Sequence, residues 1–225
     1  MSRKTKLPLA KDLTWSCKRG TLTFSGHGAM PDCYNPRTHV CVETPWSHSA
    51  GIAKRIVVDE GITHIGSFAF QNCSNVTKIT LPSTLVSIGY VAFRHDSCYS
   101  VEIPHGVKSI GPFAFRGNLG FVNITIPASV EELGKGCFAD CKMLKSVTFK
   151  GDVASIGDHA FTDCYILKKI VFEGKVGKIG RRALSECESL KEIVFGGTME
   201  EWNALGYLRL NFDTVVHCTD GDVKY

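Results

Sequence analysis

The chain has no run of about 18 apolar residues, so the sequence predicts no helix that spans a bilayer. Residues 1–11 are basic and lack the apolar segment of a secretory signal, which favours a cytoplasmic location for the chain as given. The formal net charge is only +4 over 225 residues, so composition gives no indication of nucleic-acid or membrane binding. A hydrophobic fraction of 44% and a charged fraction of 21% are typical of a folded protein.

The sequence also lacks the motifs of the common enzyme classes. It has no phosphate-binding loop, no dinucleotide-binding fingerprint and no serine nucleophile motif. His95-Asp96-Ser97 and the pair His159 and Asp163 are residue types that transfer protons, but neither set stands in a catalytic motif. We therefore expect no catalytic residues, no cofactor and no enzymatic activity.

What the chain does have is a repeated frame, Ile-Gly-x-x-Ala-Phe-x-x-Cys followed by Leu-x-x-Ile-x-Phe. The frame opens at six positions: Ile65, Ile88, Ile110, Leu133, Ile156 and Ile179. The spacing is 23 residues except after Ile88, where one residue is missing. This period predicts an α/β solenoid, a right-handed leucine-rich repeat horseshoe of about seven coils. One short parallel strand per coil should build the concave face, and a turn of helix should build the back.

Three columns of the repeat predict core positions. A glycine follows the opening residue in every copy, which indicates a close approach or a backbone angle that a Cβ would obstruct. A phenylalanine stands five residues after the opening in five of the six copies and predicts a buried aromatic layer. One column holds four cysteines, which we interpret as buried free thiols: Cys73, Cys141, Cys164 and Cys187. Asp96 and Asn118 fill that column in the other two copies.

The repeats do not extend to either end of the chain. We divide it into an N-terminal tail and β-rich cap at residues 1–50, repeats at 51–198 and a C-terminal cap at 199–225, all within one solenoid unit. Residues 20–26 alternate apolar and polar side chains between glycines, which predicts a strand in the first cap. Thr198-Met199-Glu200-Glu201 has the pattern of a capping box and predicts a helix start in the second.

The repeat frame and both flanks resemble the bacterial BspA-like leucine-rich repeats, also called the Treponema pallidum type. The similarity covers residues 56–198 and the segments 20–30, 197–203 and 216–221. It implies a surface or secreted binding protein, with roles such as cell adhesion, which is the alternative to a cytoplasmic location. It implies no catalytic residues.

The residues that vary between copies give the candidate binding site. Six of them should lie on the concave face: Tyr99, Val122, Lys145, Lys168, Lys169 and Lys191. Three of the lysines share one column, and like charges on neighbouring strands repel each other, so packing alone would not select them. We interpret them as a basic strip for an acidic partner, a protein or a glycan. The alternative is a solvated surface with weak lysine–glutamate pairs. Nucleic acid is not expected, because no aromatic residues interleave the lysines.

A rival hypothesis places the function in the N-terminal cap. Cys33, His39, Cys41 and His48 are residue types that bind zinc, and they could make a metal- or redox-responsive loop. Their spacing matches no common zinc motif, so an ordinary cap loop is favoured and no metal is predicted. A Cys33–Cys41 disulfide is the further alternative for an exported protein.

Overall fold

The computed structural model describes residues 12–35, 40–41, 44–206, 208 and 210–225, with only the backbone of residues 35, 40 and 41. Within these ranges the chain folds as a β-solenoid with two short helices. No helix in the described part of the chain is long and apolar enough to cross a membrane.

The elements follow one another at short intervals. In chain order, the N-terminal half contains β1 (Thr14–Lys18), β2 (Thr21–Ser25), β3 (Gly28–Ala29), β4 (Tyr34–Asn35), β5 (Val40–Cys41), α1 (Ser47–Ala50), β6 (Arg55–Val58), β7 (Ile62–Ile65), β8 (Lys78–Thr80), β9 (Ser87–Ile88) and β10 (Ser109–Ile110). The C-terminal half contains β11 (Asn123–Ile126), β12 (Glu132–Leu133), β13 (Ser146–Phe149), β14 (Ser155–Ile156), β15 (Lys169–Phe172), β16 (Glu192–Phe195), α2 (Met199–Ala204), β17 (Val215–Cys218) and β18 (Gly221–Lys224).

Most coils contribute a strand to each of two sheets. The main sheet has two parts, in the orders β1-β2-β6-β8 and β11-β13-β15-β16-β17-β18, and the second sheet has the order β14-β12-β10-β9-β7-β3. Neighbouring coils pair in parallel one repeat apart, so that Ile124, Val147, Ile170 and Ile193 stand in register. The predicted leucine-rich solenoid of about seven coils is therefore confirmed, whereas the second sheet was not predicted. The horseshoe curvature and the handedness stay predictions.

The helical turn predicted for the back of each coil is wrong, and with it the α component of the predicted α/β class. The chain instead makes consecutive turns, in which non-glycine residues recur with φ between 55 and 60°: Phe68, Val91, Phe113, His159 and Arg182. Alternate amides donate to the next coil, as in Phe68 N–H to Tyr90 O at 2.9 Å and Phe70 N–H to Ala92 O at 2.8 Å. We call this stack of turns the turn ladder. A helix would use these amides within one coil and leave none of them to donate to the next coil.

The phenylalanine column forms the centre of the core. Phe70, Phe93, Phe115, Phe138 and Phe161 are buried and stack with ring centroids 5.2 to 5.6 Å apart. Burial of each ring stabilises the fold by roughly 1.5–3 kcal/mol. Leu184 occupies the same position in the last coil and ends the stack.

The glycine column marks a close approach between coils. A Cβ on Gly157 would lie 2.5 Å from the backbone nitrogen of Lys135 and 2.6 Å from the carbonyl carbon of Gly134. The glycines of this column do not have positive φ. The requirement is therefore for space, which is the first of the two reasons that the sequence suggested.

The cysteine column is buried, and the four predicted thiols are free. Cys141 Sγ donates to Phe115 O at 3.4 Å, and Cys164 and Cys187 make the same bond one and two coils later, at 3.3 and 3.2 Å. Burial raises the pKa of the Cys141 and Cys187 thiols to about 12. The prediction of buried free thiols is confirmed, and three of the four thiols donate a hydrogen bond within the core.

The missing residue of the second full coil interrupts the main sheet. One edge of β8 pairs with β6, but its other edge makes only the single bridge between Lys78 and Ser100. Residues 101–103 form no strand, and Cys98 Sγ donates to Ser100 O at 2.9 Å. The two parts of the main sheet meet at this short coil.

Both ends of the core are covered by tryptophan. Trp46 is buried and its Nε1–H donates to Ala69 O at 2.8 Å, while the β1–β2 hairpin pairs with the edge of β6. At the other end, α2 begins with the predicted capping box of Thr198 and Glu201, and buried Trp202 packs edge-on against Phe195. The capping-box prediction is confirmed, and the boundaries at residues 50 and 198 stay predictions.

Candidate binding surface

The outward side chains of the main sheet and of the residues that lead into its strands form one surface, which we call the strand face. Lys145 N–H donates to Val122 O at 2.7 Å, Lys168 N–H to Lys145 O at 2.9 Å and Lys191 N–H to Lys168 O at 3.2 Å. These bonds hold Val122 and the three lysines in one column, one residue per coil. Lys169 stands beside the column as the first residue of β15. Five of the six predicted residues therefore lie side by side.

Two of the four predicted lysines are paired within the chain. Lys169 Nζ lies 2.6 Å from Glu192 Oε1, and Lys191 Nζ lies 2.7 Å from Asp213 Oδ2. The hydrogen bond from Lys191 lowers the pKa of the Asp213 carboxyl. Both pairs are open to solvent, where such pairs contribute little. For these two lysines the structure matches the solvated-surface alternative.

Lys145 and Lys168 differ from the other two. Both are exposed, and no carboxylate oxygen of the described residues lies within 4.0 Å of either ammonium group. They follow Val122, whose side chain is 37% exposed, along the same column. The strand face therefore presents two uncompensated cations next to an exposed apolar residue.

Tyr99 is the largest exposed side chain of the predicted set, with 67% of its surface accessible. It comes from the short coil, where its N–H donates to Thr77 O at 3.2 Å. Gly120 allows the next coil to approach, because a Cβ there would lie 2.4 Å from Cys98 O and 2.9 Å from Tyr99 Cα. The backbone of Tyr99 is thus held in place, while its side chain is exposed and accessible to a partner.

A groove of about 630 Å³ opens on the main sheet where its two parts meet. Its walls are β8 and the segment from Ser100 to Gly106, with Glu60, Glu102 and His105 among the charged or titratable residues. Hydrogen bonds from Ser83 N–H and Oγ, both at 2.9 Å, lower the pKa of Glu60. Sequence reasoning missed these residues, and the missing residue of the repeat was the signal that could have located them.

Within the described chain, the loop that was suggested to bind metal does not bring a set of metal ligands together. Cys33 is buried and its Sγ donates to Pro31 O at 3.5 Å, whereas His48 is exposed. Among the described residues, no three His, Cys, Asp or Glu side chains are placed to hold a metal ion. His39 and the side chain of Cys41 lie outside those residues, and so does the alternative Cys33–Cys41 disulfide.

The two acid–base sets noted in the sequence, one in the short coil and one in the fifth coil, are not arranged as catalytic sets. Arg94 Nε–H donates to His95 Nε2 at 3.1 Å, while Asp96 is buried. Burial and the Arg94 charge lower the pKa of His95. His159 Nδ1 lies 3.3 Å from Thr162 Oγ1 rather than against Asp163.

Comparisons with known proteins agree with the observed coils. A family model described as "BspA type Leucine rich repeat region" matches residues 49–119 and 87–209, in six copies. No curated protein matches the chain in sequence.

Several solved bacterial structures share the fold. The leucine-rich repeat protein TpLRR of T. pallidum gives a TM-score of 0.62 at 22% identity, over 93% of this chain and 100% of that one. A leucine-rich repeat protein from Eubacterium ventriosum gives 0.54 at 19% identity, over 94% and 84%. The pneumococcal vaccine antigen PcpA gives 0.61 at 20% identity, over 75% of this chain and 42% of that one.

At these identities the structures establish a common architecture and nothing about ligands. The family model is more informative, because it covers well over half of the chain and its copies fall on the observed coils. The chain belongs to the BspA-type leucine-rich repeat family.

Proposed function

We propose that this protein is a non-catalytic binding protein that recognises another protein through its strand face. Leucine-rich repeat proteins are generally binding scaffolds, because stacked coils create an extended surface and no deep site. The observation that carries the proposal is the column of Val122, Lys145 and Lys168, in which an exposed apolar side chain precedes two cations without a partner in the described chain, with the exposed Tyr99 on the coil before it.

The chemistry of this group favours an acidic protein surface. Tyrosine is among the residues that dominate binding energy at interfaces, and an exposed apolar neighbour adds area that a partner can bury. The two unpaired lysines add a positive potential that speeds association with an acidic partner and weakens with salt. Lys169 and Lys191 would contribute only after exchanging their present carboxylate partners.

The form of binding that we propose is adhesion, at a cell surface or after secretion. This follows the family resemblance, and the relatives of known structure are bacterial proteins that include a vaccine antigen. The strand face would act there as an extended contact surface with the lysines directing the partner's approach.

The test uses an array of purified bacterial and host proteins probed with the labelled chain. We expect binding to acidic proteins that falls as salt rises, and a loss of about tenfold or more when Lys145→Glu and Lys168→Glu are combined. The control combines Lys142→Glu and Lys178→Glu, two exposed lysines outside the strand face with the same change in charge. Equal loss in both variants would show that only net charge matters and would contradict the proposal.

A further inference from the structure

The turn ladder joins each coil to the next through alternate backbone amides. In the fifth coil, His159 N–H donates to Arg181 O at 3.0 Å, Phe161 N–H to Ala183 O at 2.8 Å and Asp163 N–H to Ser185 O at 3.1 Å. Every amide of this kind in the inner coils thus uses a carbonyl of the following coil. The last coil has to find its acceptors elsewhere.

In the last coil the equivalent amides belong to Arg182, Leu184 and Glu186. None of these three N–H groups has an acceptor among the described residues. The reason is that α2 and β17 continue the core and the main sheet beyond the last coil, whereas no turn of the described residues accepts a hydrogen bond from the amides of Arg182, Leu184 and Glu186. We call these three amides the open edge.

A cavity of about 620 Å³ lies at the open edge. Residues 182–185 line it on one side, and Leu208 of the C-terminal segment lines it on another. Ser185 is buried to more than nine-tenths, and its Oγ also has no hydrogen-bond partner within the described chain. Ser185 Oγ is therefore a buried polar atom without a partner, which proteins usually avoid, and it lies in the same lining as Arg182 and Leu184.

The charges around the cavity are uneven. Lys135, Arg181 and Arg182 line it and are exposed, and within the described chain no carboxylate lies within 4.0 Å of their cationic groups. Asp158 also lines the cavity, but its Oδ1 accepts from the backbone N–H of Arg181 at 2.7 Å and not from a guanidinium group. At the opposite end of the edge stand the exposed Glu186 and Glu188.

We propose that the open edge binds an acidic peptide segment of a protein partner, which stacks there in place of a further coil. Its carbonyl oxygens accept from the amides of Arg182, Leu184 and Glu186, as a further coil would, and its carboxylates pair with Lys135, Arg181 and Arg182. Peptides that bind free sheet edges divide the work in the same manner, with backbone bonds for affinity and side-chain sites for specificity.

The spacing of the donors distinguishes a peptide from a small anion. The three amides belong to every second residue along the chain, and in the inner coils the equivalent amides meet the carbonyl groups of every second residue of the following coil. A single phosphate or sulfate is too small to reach all three. The cations at one end of the cavity add a preference for acidic side chains in the part of the peptide that lies away from Glu186 and Glu188.

Arg182 offers a variant that separates binding from folding. Its φ is 55°, a conformation that costs a non-glycine residue free energy, and Gly136 occupies the same column two coils earlier with φ of 58°. Arg182→Gly therefore removes the guanidinium group while relieving backbone strain, and we expect the variant to fold at least as stably as the native chain.

The probe is a short fluorescent peptide of alternating glutamate and valine, with a glutamine and valine peptide as its neutral counterpart. We expect the acidic peptide to bind, the amides of Arg182, Leu184 and Glu186 to become protected from hydrogen exchange, and the neutral peptide to bind at least about tenfold more weakly. Arg182→Gly and Arg181→Glu should each weaken binding several-fold. The strand-face variant with Lys145→Glu and Lys168→Glu should bind the probe like the native chain.

Three results would overturn this inference. Unchanged exchange at the three amides at saturating peptide would exclude the open edge as the site. Equal protection by inorganic phosphate alone would show a small-anion site. Loss of peptide binding in the strand-face variant, with native binding by Arg182→Gly, would assign the peptide to the strand face and leave the proposed function standing.

Discussion

Asp96 stands in a column of cysteines, and its surroundings favour a proton on its carboxyl group. Its Oδ1 accepts from Cys73 N–H at 2.9 Å, while its buried Oδ2 has no partner within the described chain. Asn118, on the next rung, donates to Phe93 O at 2.8 Å and leaves its Oδ1 without a donor. Burial raises the pKa of Asp96 well above its ordinary value. A carboxylate at Asp96 would therefore leave a buried charge with one hydrogen bond, and no cation of the described residues lies within 4.0 Å of it.

The first prediction concerns Asp96→Asn and pH. Because the folded state holds this proton more tightly than the unfolded state, Asp96 opposes folding increasingly as pH rises above its unfolded pKa of about 3.9, until its raised folded pKa is reached. The side-chain amide of asparagine does not ionise, so the variant does not lose stability in this way as pH rises. Asp96→Asn should therefore raise the free energy of unfolding near neutral pH by roughly 1–3 kcal/mol and change it little near pH 4. Urea unfolding across this pH range measures the difference.

The difference between variant and native chain is the informative quantity in that experiment. Other carboxyls, including Asp32 and Asp213, have lowered pKa values and change stability with pH in the opposite direction. They act equally in both proteins and cancel. A difference that does not grow with pH would show that Asp96 is ionised in the folded state.

The second prediction tests the glycine column with Gly157→Val. The new Cβ would overlap the backbone of the preceding coil at 2.5 Å, so the free energy of unfolding should fall by about 3 kcal/mol or more. Gly51→Val is the matched control, because its Cβ would meet nothing closer than 3.7 Å, and its cost should stay within about 1 kcal/mol. Similar melting of the two variants would contradict the close-approach account.

At the scale of elements, the strands of the main sheet could be predicted from sequence, whereas the second sheet and the turns could not. Apolar residues alternate with more polar ones along these segments, and this pattern indicates a strand with one buried face. Ile170 and Phe172 were therefore assigned correctly to the core. The segment around Ala69 and Phe70 has the composition of a helical turn. In five of the six copies the left-handed residue before this segment is not glycine, as at Phe68, and only Gly136 marks the position in the sequence.

The third prediction concerns the short coil. Inserting one asparagine between Ser97 and Cys98 restores the 23-residue period and gives this coil the Ser-Asn pair that Ser74 and Asn75 form in the coil before. We expect the strand pairing to continue past the Lys78–Ser100 bridge, and the amides of residues 101–103 to exchange about tenfold more slowly, the equivalent of one hydrogen bond. Hydrogen exchange followed by NMR measures this.

The same insertion between Lys142 and Met143 is the control, because it lengthens a coil that already has the full period. It should destabilise the chain and disturb the pairing of β13 with its neighbours. If both insertions had the same effect, the break in the main sheet would have another cause than the missing residue.

At the scale of the whole molecule, the repeat constitutes a scaffold, and the differences between its copies provide the candidate surfaces. The sequence predicted the column of Val122, Lys145, Lys168 and Lys191, because position within a repeat determines position on a face. It could not predict that Asp213, from beyond the repeats, would pair with Lys191. Nor could it predict the open edge, because the sequence does not tell which part of the last coil the C-terminal segment leaves uncovered.

The most direct test of the strand face is site-specific photocrosslinking at Tyr99. A photoreactive phenylalanine analogue replaces Tyr99, whose ring is 67% exposed, or Tyr165, which is 38% exposed and follows the turn ladder. Each protein is irradiated with the partner identified on the array, and crosslinked product is quantified. We expect crosslinked product from position 99, in a yield that high salt reduces, and little crosslinked product from position 165. Equal yields at both positions, or a product from position 165 alone, would contradict it.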